Sequence, residues 1–195
     1  MQTWFPEAYQ EFRVLSIFEL LKEYIEAGRI RIDRSKHVQL TTVHDPCNYV
    51  RKSHMFFGDH HGESSRWIVS QCCENMVEMC DSPLNNLCCG AGGGVWAMSY
   101  KKERLGHGKF KADQINKSGA ELVIAPCHNC RDQIMKSLAK EFDMGNYKET
   151  KYIWELVAES LVTQPWSEER IQKTHAERDA QFERFAIDLE KERWG

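Results

Sequence analysis

Long hydrophobic runs are absent from the sequence, and this absence limits where the protein can work. The longest apolar stretches span only a few residues, whereas a membrane-spanning helix needs about 20. Met1–Gln10 has neither the basic start nor the apolar run of an export signal. We therefore predict a cytoplasmic protein that has no direct membrane span of its own.

An excess of charge of either sign is also missing. The 26 Lys and Arg residues nearly balance the 29 Asp and Glu residues, which leaves a formal net charge of -3. Such a chain generates no general field that would attract DNA or RNA, so we expect no nucleic-acid partner. The glycine run Gly90–Gly94 is not a dinucleotide fingerprint, because Val95 stands where the third glycine is required.

The length of 195 residues is enough for one full domain with a tail. Apolar side chains recur at helical spacing from Leu15 to Ile25, and Ile17–Glu23 is similar to Ile153–Glu159. The first copy of this short repeat has little sequence before it. We therefore predict three parts: residues 1–37 as the second half of a truncated repeat unit, 38–165 as a cysteine-rich domain and 166–195 as a charged helical tail.

The sequence has eight cysteines and no export signal. A protein that stays in the cytosol keeps its thiols reduced. This favours metal binding or thiol chemistry over a disulfide framework. Five of the eight form a single cysteine, an adjacent pair and a CxxC motif: Cys47, Cys88, Cys89, Cys127 and Cys130. The first gap, from the single cysteine to the pair, contains 40 residues, and the second gap contains 37.

Short apolar segments precede the cysteines. The β-branched run Val38–Val43 predicts a strand, and Cys47 follows its end. Leu122–Ile124 is a second short buried strand, after which Cys127 and Cys130 open a helix. We therefore predict an α/β fold of short parallel strands with flanking helices, with the cysteine loops at the C-terminal ends of the strands and a charged helix at the C-terminus.

The adjacent pair Cys88–Cys89 is the most informative part of the pattern. Two neighbouring side chains seldom bind one tetrahedral ion, whereas a cluster of several irons offers a separate corner to each sulfur. Five thiolates therefore favour an iron-sulfur cluster over zinc. The glycines Gly90, Gly92 and Gly93 are expected to let the backbone approach a bulky cluster and turn its N–H groups toward the sulfurs.

The CxxC motif alone is weaker evidence. At the first turn of a helix, Cys127 and Cys130 would be stabilised as thiolates by the helix dipole, in a metal site or in a redox pair. Two alternatives to the cluster therefore stay open: a zinc-stapled interaction module without redox activity, and a metal-free dithiol reductase that uses these two cysteines.

Three runs together resemble a known family: His44–Cys47, Cys88–Gly93 and Ala125–Cys130. They look like the cysteine-rich CCG domain of the B and D subunits of heterodisulfide reductase. They resemble even more closely the DsrK, Tmc and Hmc types of iron-sulfur subunit in the membrane redox complexes of sulfate reducers. The resemblance covers roughly residues 4–163. The B subunit of heterodisulfide reductase resembles two such motif sets facing each other, and this chain carries one.

The resemblance implies a cofactor and a role. In the family, a 4Fe-4S cluster, noncubane in some members, forms or cleaves a disulfide or passes electrons toward one. Its implied ligands here are Cys47, Cys88, Cys89, Cys127 and Cys130. The chain would then be a heterodisulfide reductase-like oxidoreductase subunit in anaerobic respiration, cytoplasmic or attached to the membrane through the other subunits of its complex.

Two histidines stand beside the predicted ligands. His44 and His128 are expected either to donate hydrogen bonds to cluster sulfur or to give protons to a substrate thiolate. The basic stretch Lys101–Lys111 is most simply a solvated helix face, and its functional alternative is a dock for a small acidic or thiol-bearing protein partner.

The other three cysteines are predicted to be structural. Cys72, Cys73 and Cys80 fall in or beside an apolar face that recurs at helical spacing from Glu63 to Met79. Small soft side chains on such a face are ordinary core residues.

Overall fold

The computed structural model describes residues 4–12, 15–81, 83–92, 94–164 and 167–194, with the backbone alone at residues 8–9 and 185–194. The residues up to Val162 form one compact unit, and those from Thr163 form a second. The first unit contains these helices and strands in chain order: α1 (Pro6–Glu11), α2 (Ile17–Glu26), β1 (Leu40–Val43), α3 (Ser53–Phe57), α4 (Gly62–Cys72), β2 (Asn75–Met76), α5 (Lys101–Ser118), β3 (Leu122–Ile124), α6 (His128–Asp132), α7 (Ala139–Glu141), β4 (Glu149–Lys151) and α8 (Ile153–Ser160).

Less regular helical segments complete the unit. Two π-helical segments, Asn48–Lys52 and Gln133–Leu138, run directly into α3 and α7. Short 3-10 turns lie at Arg34–Lys36 and Val95–Ala97.

The four strands form one parallel sheet in the order β2-β1-β3-β4. This arrangement confirms the predicted α/β fold of short parallel strands with flanking helices. From β1 the chain continues to β2 on one side of the sheet, and from β3 it continues to β4 on the opposite side. The C-terminal ends of β1 and β3 therefore border the point where the strand order reverses, which is where open α/β sheets place their binding crevice.

Each face of the sheet carries its own core, because side chains alternate along β3. Val123 packs with residues of α5 and of the helical segments after α6, whereas Leu122 and Ile124 pack on the opposite face with residues of α2, α4 and α8. Phe18 of α2 is 2% exposed and belongs to this second core. The second core therefore fastens α2 to the sheet.

The two copies of the short repeat are α2 and α8, and they begin in the same way. Glu19 accepts a hydrogen bond from the amide of Ser16 (2.7 Å), and Glu155 accepts one from the amide of Tyr152 (2.9 Å). The shared glutamate thus satisfies an amide at each helix N-terminus. Whether residues 1–37 belong to a truncated repeat unit stays a prediction.

The predicted helix from Glu63 to Met79 is wrong in its second half. Helix α4 ends at Cys72, and Asn75–Met76 pair in parallel with β1 as the edge strand β2. Sheet pairing overrides the helical spacing here because β1 offers an unpaired edge. Cys72 and Cys73 are buried in the second core as predicted, whereas Cys80 is exposed, which corrects its assignment to the core.

The second unit contains one long helix, α9 (Glu168–Trp194), which confirms the predicted C-terminal helix. Ile171 and Phe182 on it are 39% and 66% exposed. The side chains of Phe185 and Leu189, two further apolar residues of the tail sequence, fall outside the described residues. Among the described helices, none is both long and apolar enough to cross a membrane.

Candidate metal centre

The first cysteine of the motif is placed by the end of β1. The amide of His44 still pairs with the carbonyl of Ile124 in β3 (2.9 Å), and the chain then turns through Pro46. The amide of Lys52 donates to the carbonyl of Cys47 (2.9 Å), which starts the first π-helical segment. Such wide turns are rare and concentrate at functional sites. Cys47 is thereby held at the crevice between β1 and β3.

A charge cluster around the buried carboxylate of Asp45 fixes this turn. Asp45 is 2% exposed, and Arg66 of α4 donates to both of its carboxylate oxygens at 2.9 Å. The same guanidinium donates to both oxygens of Glu78, at 2.7 and 2.8 Å. A planar guanidinium with two carboxylates is a strong and directional link between three segments. Arg66 was not among the predicted site residues, because nothing in a local pattern pairs a helical arginine with a distant strand end.

The adjacent cysteines lie on an irregular segment that approaches the backbone of α5 closely. Gly90 has a φ of +89°, and a Cβ added there would lie 2.4 Å from the carbonyl oxygen of Arg104. A Cβ added at Gly108 would lie 2.8 Å from the carbonyl oxygen of Cys89. Both glycines are therefore needed for the loop and the helix to approach each other. A glycine in the interior of a predicted helix was the sequence signal for this contact.

The glycines after the pair serve different purposes. The missing side chain of Gly90 makes room for α5, while its amide donates to Cys88 Sγ (3.3 Å), as expected for N–H groups turned toward the site. A Cβ added at Gly92 would lie 3.9 Å from Cys47 Sγ, so Gly92 lies against a site thiol at ordinary contact distance. Gly93 lies outside the described residues.

The CxxC motif opens a helix, as the sequence predicted. Cys127 is the N-cap residue of α6, and its carbonyl accepts the amide of Arg131 (2.9 Å). Its sulfur accepts hydrogen bonds from Cys130 and from the amides of Asn129 and Cys130. The hydrogen bond from the Cys130 thiol is the largest cause that lowers the pKa of Cys127 to about 6, and the free amides of the first turn add to it.

The five sulfurs form an unbroken chain of contacts. Cys47 interacts with Cys88, Cys88 with Cys89, Cys89 with Cys130, and Cys130 with Cys127. The Sγ atoms of Cys89 and Cys130 are 3.3 Å apart. All five cysteines line one small pocket together with His44 and Gly92. Three segments that are far apart in sequence thus present their thiols to one point.

The pKa values along this chain of thiols shift in both directions: those of Cys47, Cys89 and Cys130 are raised, and those of Cys88 and Cys127 are lowered. Hydrogen bonds from Cys47 and Cys89 lower the pKa of Cys88, and the bond that Cys47 donates to Cys88 raises the pKa of Cys47. The pKa of Cys130 is raised because its thiol donates to Cys127 and Cys89. Thiols this close share protons, and metal binding would release those protons, since the ligand form of cysteine is the thiolate.

Burial differs across the pocket. Cys89 and Cys130 are 2% and 5% exposed, Cys47 and Cys127 are half-buried, and Cys88 is exposed. A cleft of about 760 Å³ opens on the side of Cys47 and Cys88. Its wall combines apolar groups with Lys52, Glu103, Arg104 and His107. The pocket is therefore closed at its base and accessible from the cleft.

His44 lies at the closed base of the pocket. It is 1% exposed, and neither ring nitrogen has a hydrogen-bond partner among the described residues. Its ring nitrogen lies within 4.8 Å of the sulfurs of Cys89 and Cys130. Burial holds the pKa of His44 well below its ordinary value, so the ring is neutral and carries one N–H donor. This donor has no acceptor in the described part of the chain.

His128 is not brought into the pocket. Its side chain is 74% exposed, its Nδ1 bonds to the hydroxyl of Tyr152, and its Nε2 lies 3.9 Å from Asp132.

The basic stretch Lys101–Lys111, which follows the cysteine loop, is only partly a solvated helix face, since Arg104 and Lys111 are 8% and 1% exposed. That prediction is wrong for these two residues, because α5 turns both side chains inward, where Arg104 donates to Gln133 and Lys111 contacts Met79.

The donor set fits an iron-sulfur cluster. Five thiols exceed the four ligands that a structural zinc ion takes, and they converge on one pocket. The unpartnered N–H of His44 points to a further acceptor at the same place, as cluster sulfur would be. The residues that would hold the group are Cys47, Cys88, Cys89, Cys127 and Cys130.

Comparison with known proteins agrees with this geometry. Residues 41–135 match the cysteine-rich domain family named CCG. This chain contains a CCG domain. The matched region begins in β1 and ends just beyond the CxxC motif, so it includes all five cysteines of the pocket.

The similarity to two curated relatives covers more residues than the matched domain. The B subunit of the fumarate reductase (CoM/CoB) of Methanothermobacter marburgensis is 34% identical over 148 residues, which cover 74% of this chain and 27% of that protein. Iron-sulfur subunit 2 of the Hdr-like menaquinol oxidoreductase of Archaeoglobus fulgidus is 26% identical over 120 residues, 58% of this chain and 20% of that protein. The chain spans about a quarter or less of the length of these relatives.

The CCG domain and these relatives together support membership of the group related to heterodisulfide reductase, as the motifs predicted. The finer likeness to the DsrK, Tmc and Hmc types stays a prediction.

Proposed function

We propose that this CCG-domain chain is an iron-sulfur electron-transfer subunit of an anaerobic respiratory redox complex, related to heterodisulfide reductase. The observation that carries the proposal is the convergence of five thiols, from three separate segments, on one pocket at the C-terminal ends of β1 and β3. The names of both relatives describe subunits of oxidoreductases, and one is named an iron-sulfur subunit, which supports the same role here.

The proposed cofactor is a 4Fe-4S cluster, cubane or noncubane. When bound, such a cluster supplies one-electron transfer and, in the related reductases, a place where a disulfide is formed or cleaved. Cys89 and Cys130 would hold it from the buried side and exclude water there. Cys47 and Cys88 would face the cleft, where a disulfide or a partner's redox centre can approach.

Within this proposal the two predicted histidines have different roles. The neutral ring of His44 donates its N–H to a cluster sulfur, which satisfies a buried donor that has no protein acceptor in the described chain. His128 is held by Tyr152 and Asp132 at the surface and belongs to the surroundings of Cys127. Proton delivery to a substrate thiolate therefore falls to groups that face the cleft.

The partners we propose are the other subunits of a cytoplasmic or membrane-attached complex. Lys52 and Arg104 give the cleft a positive excess over Glu103, which suits a small acidic or thiol-bearing protein. The exposed apolar residues Ile171 and Phe182 of α9 suit a helix that docks on a neighbouring protein of the complex.

The decisive experiment is metal analysis of the chain purified without oxygen. We expect about four iron and four acid-labile sulfide per chain, with little zinc. Electron paramagnetic resonance after reduction would then identify the cluster type. Zinc without sulfide would support the zinc-stapled module instead, and a metal-free chain would reject both metal sites.

A metal-free dithiol reductase is the second candidate, and one observation favours it. Cys127 lies at a helix N-terminus with two amide donors on its sulfur, and Cys130 is hydrogen-bonded to it. Such a thiolate could attack a disulfide, and Cys130 could resolve the mixed disulfide. If the metal-free chain reduced a small disulfide and lost that activity on Cys127→Ser, this second function would be supported.

A further inference from the structure

Helix α5 carries a lysine that is almost completely buried. Lys111 is 1% exposed, and its Nζ contacts the Oε1 of Gln114 and the Sδ of Met79 (3.8 Å). Both partners are neutral. The amide group of Gln114 in turn donates to the carbonyl of Cys80, which fixes the orientation of its oxygen toward the ammonium. The structure therefore holds a cation in the protein interior through oriented hydrogen bonds.

Burying an ammonium group among neutral partners costs folding free energy unless negative charge lies nearby. Geometry places this lysine beside the site: Met79, which its Nζ contacts, packs in the same buried cluster as Cys89 and Cys130, and Gly108, one turn earlier on α5, lies against the carbonyl of Cys89. The groups that favour the charged form of Lys111 are Asp45 and three thiols of the site, Cys89, Cys130 and Cys88. Burial lowers the pKa of Lys111 to about 8, and these groups act against that shift. The carboxylate of Asp45 is already held by the guanidinium of Arg66, so it is shared between two cations.

We propose that Lys111 is the charge-compensating residue of the metal centre, which offsets the negative charge of the thiolate-bound cluster and raises its reduction potential. This inference rests on the proposed function. Reduction adds one electron to the centre, and a fixed positive charge in a poorly screened interior favours the more negative state. The lysine also lowers the cost of gathering thiolates at the closed base of the pocket.

The alternative is that Lys111 only fills space between α5 and Met79. The substitution Lys111→Met separates the two roles, because methionine keeps an unbranched side chain and removes the charge. The matched control is Lys109→Met on the same helix, since Lys109 is exposed and paired with Asp113 (2.7 Å). Both variants remove one positive charge from α5, but only one removes it from the interior.

The first measurement is a redox titration of the reconstituted full-length chain, followed by absorbance and electron paramagnetic resonance. For Lys111→Met we expect a more negative midpoint potential, equivalent to at least a tenfold lower reduced-to-oxidised ratio at fixed potential, or ~59 mV for one electron. Lys109→Met should leave the midpoint at the wild-type value. Equal midpoints for Lys111→Met and wild type would overturn the inference.

The second measurement compares the thermal unfolding of each variant with and without the cluster. Without the cluster, Lys111→Met should unfold at the wild-type temperature or above it, because a buried cation has been removed. With the cluster, it should lose iron to a chelator roughly tenfold faster than wild type. Destabilisation of the cluster-free variant together with wild-type iron retention would show a packing role and reject the inference.

These outcomes are distinct from failure of the proposed function. If the wild-type chain bound no iron and sulfide, the electron-transfer proposal itself would fail before any variant was compared. If wild type bound the cluster and Lys111→Met matched it in both potential and iron retention, the proposed function would stand and the role of Lys111 would be rejected.

Discussion

At the scale of single residues, the cysteines of this chain form two groups in different surroundings. Cys89 lies in the pocket against another thiol, whereas Cys72 is equally buried but packs in the apolar core on the other face of the sheet. We expect Cys89→Ser to lose most of the bound iron, because a ligand and a folding constraint disappear together. Cys72→Ser should keep full iron and lose about 1–3 kcal/mol of unfolding free energy, because it buries a hydroxyl group. Iron analysis and urea unfolding measure the two effects.

The same comparison can be extended to the remaining predicted ligands. Cys47→Ser, Cys88→Ser, Cys127→Ser and Cys130→Ser should each lower the iron content or change the cluster spectrum, whereas Cys73→Ser and Cys80→Ser should not. A variant of the second group that stripped the iron, with Cys47→Ser unaffected, would show that the ligand assignment is incorrect.

His44 permits a second test at this scale. His44→Leu removes a buried ring whose nitrogens have no partner in the described chain, so the cluster-free protein should fold normally. Loss of the N–H donor should weaken cluster retention roughly 10- to 100-fold and make the potential more negative. The control is His37→Leu, because His37 is 5% exposed and contacts Glu159 (3.6 Å) away from the pocket. Similar iron loss in both variants would argue against a specific role for His44.

At the scale of elements, the contact between the cysteine loop and α5 depends on one helical glycine. A Cβ at Gly108 would lie 2.5 Å from Leu138 Cδ2 and 2.8 Å from the carbonyl of Cys89, whereas a Cβ at Gly106 would meet nothing within 4 Å. Gly108→Ala should therefore cost about 1–3 kcal/mol of unfolding free energy and displace the loop. Gly106→Ala should add about 0.5–1 kcal/mol, because alanine favours the helix interior.

Thermal or urea unfolding of these two glycine variants gives the stability, and the absorbance spectrum of the bound cluster reports the position of the loop. A stable Gly108→Ala variant with an unchanged spectrum would mean that the loop and α5 can separate without cost.

At the scale of the whole molecule, the tail is a unit by itself and the first unit contains every residue of the pocket. A chain that ends at Pro165 should therefore keep its iron and its unfolding temperature, while association with its partners weakens because Ile171 and Phe182 are lost. Iron analysis and co-purification with the proposed partner subunits test the two halves of this prediction. Loss of iron on truncation would assign the tail to the core.

The sequence by itself determined the fold class, the C-terminal helix and the segments that carry the site. Strand endings before Cys47 and Cys127 are local signals, because β-branched runs and helix starts are encoded by neighbouring residues. The adjacency of Cys88 and Cys89 favoured a cluster over a single ion, and adjacency is likewise a local feature of the sequence. The convergence of these cysteines agrees with that selection, while their role as ligands stays a prediction.

Only the tertiary structure decided which groups surround the pocket. The strand order β2-β1-β3-β4 places the ends of β1 and β3 side by side, and no local pattern encodes that order. Asn75–Met76, predicted as helix, form a strand because they pair with the edge of β1. The sequence predicted Lys111 to be a solvated cation in a polar helix, yet packing turned it inward. Burial of a charge depends on distant partners that stabilise it, and those partners become neighbours only when the chain is folded.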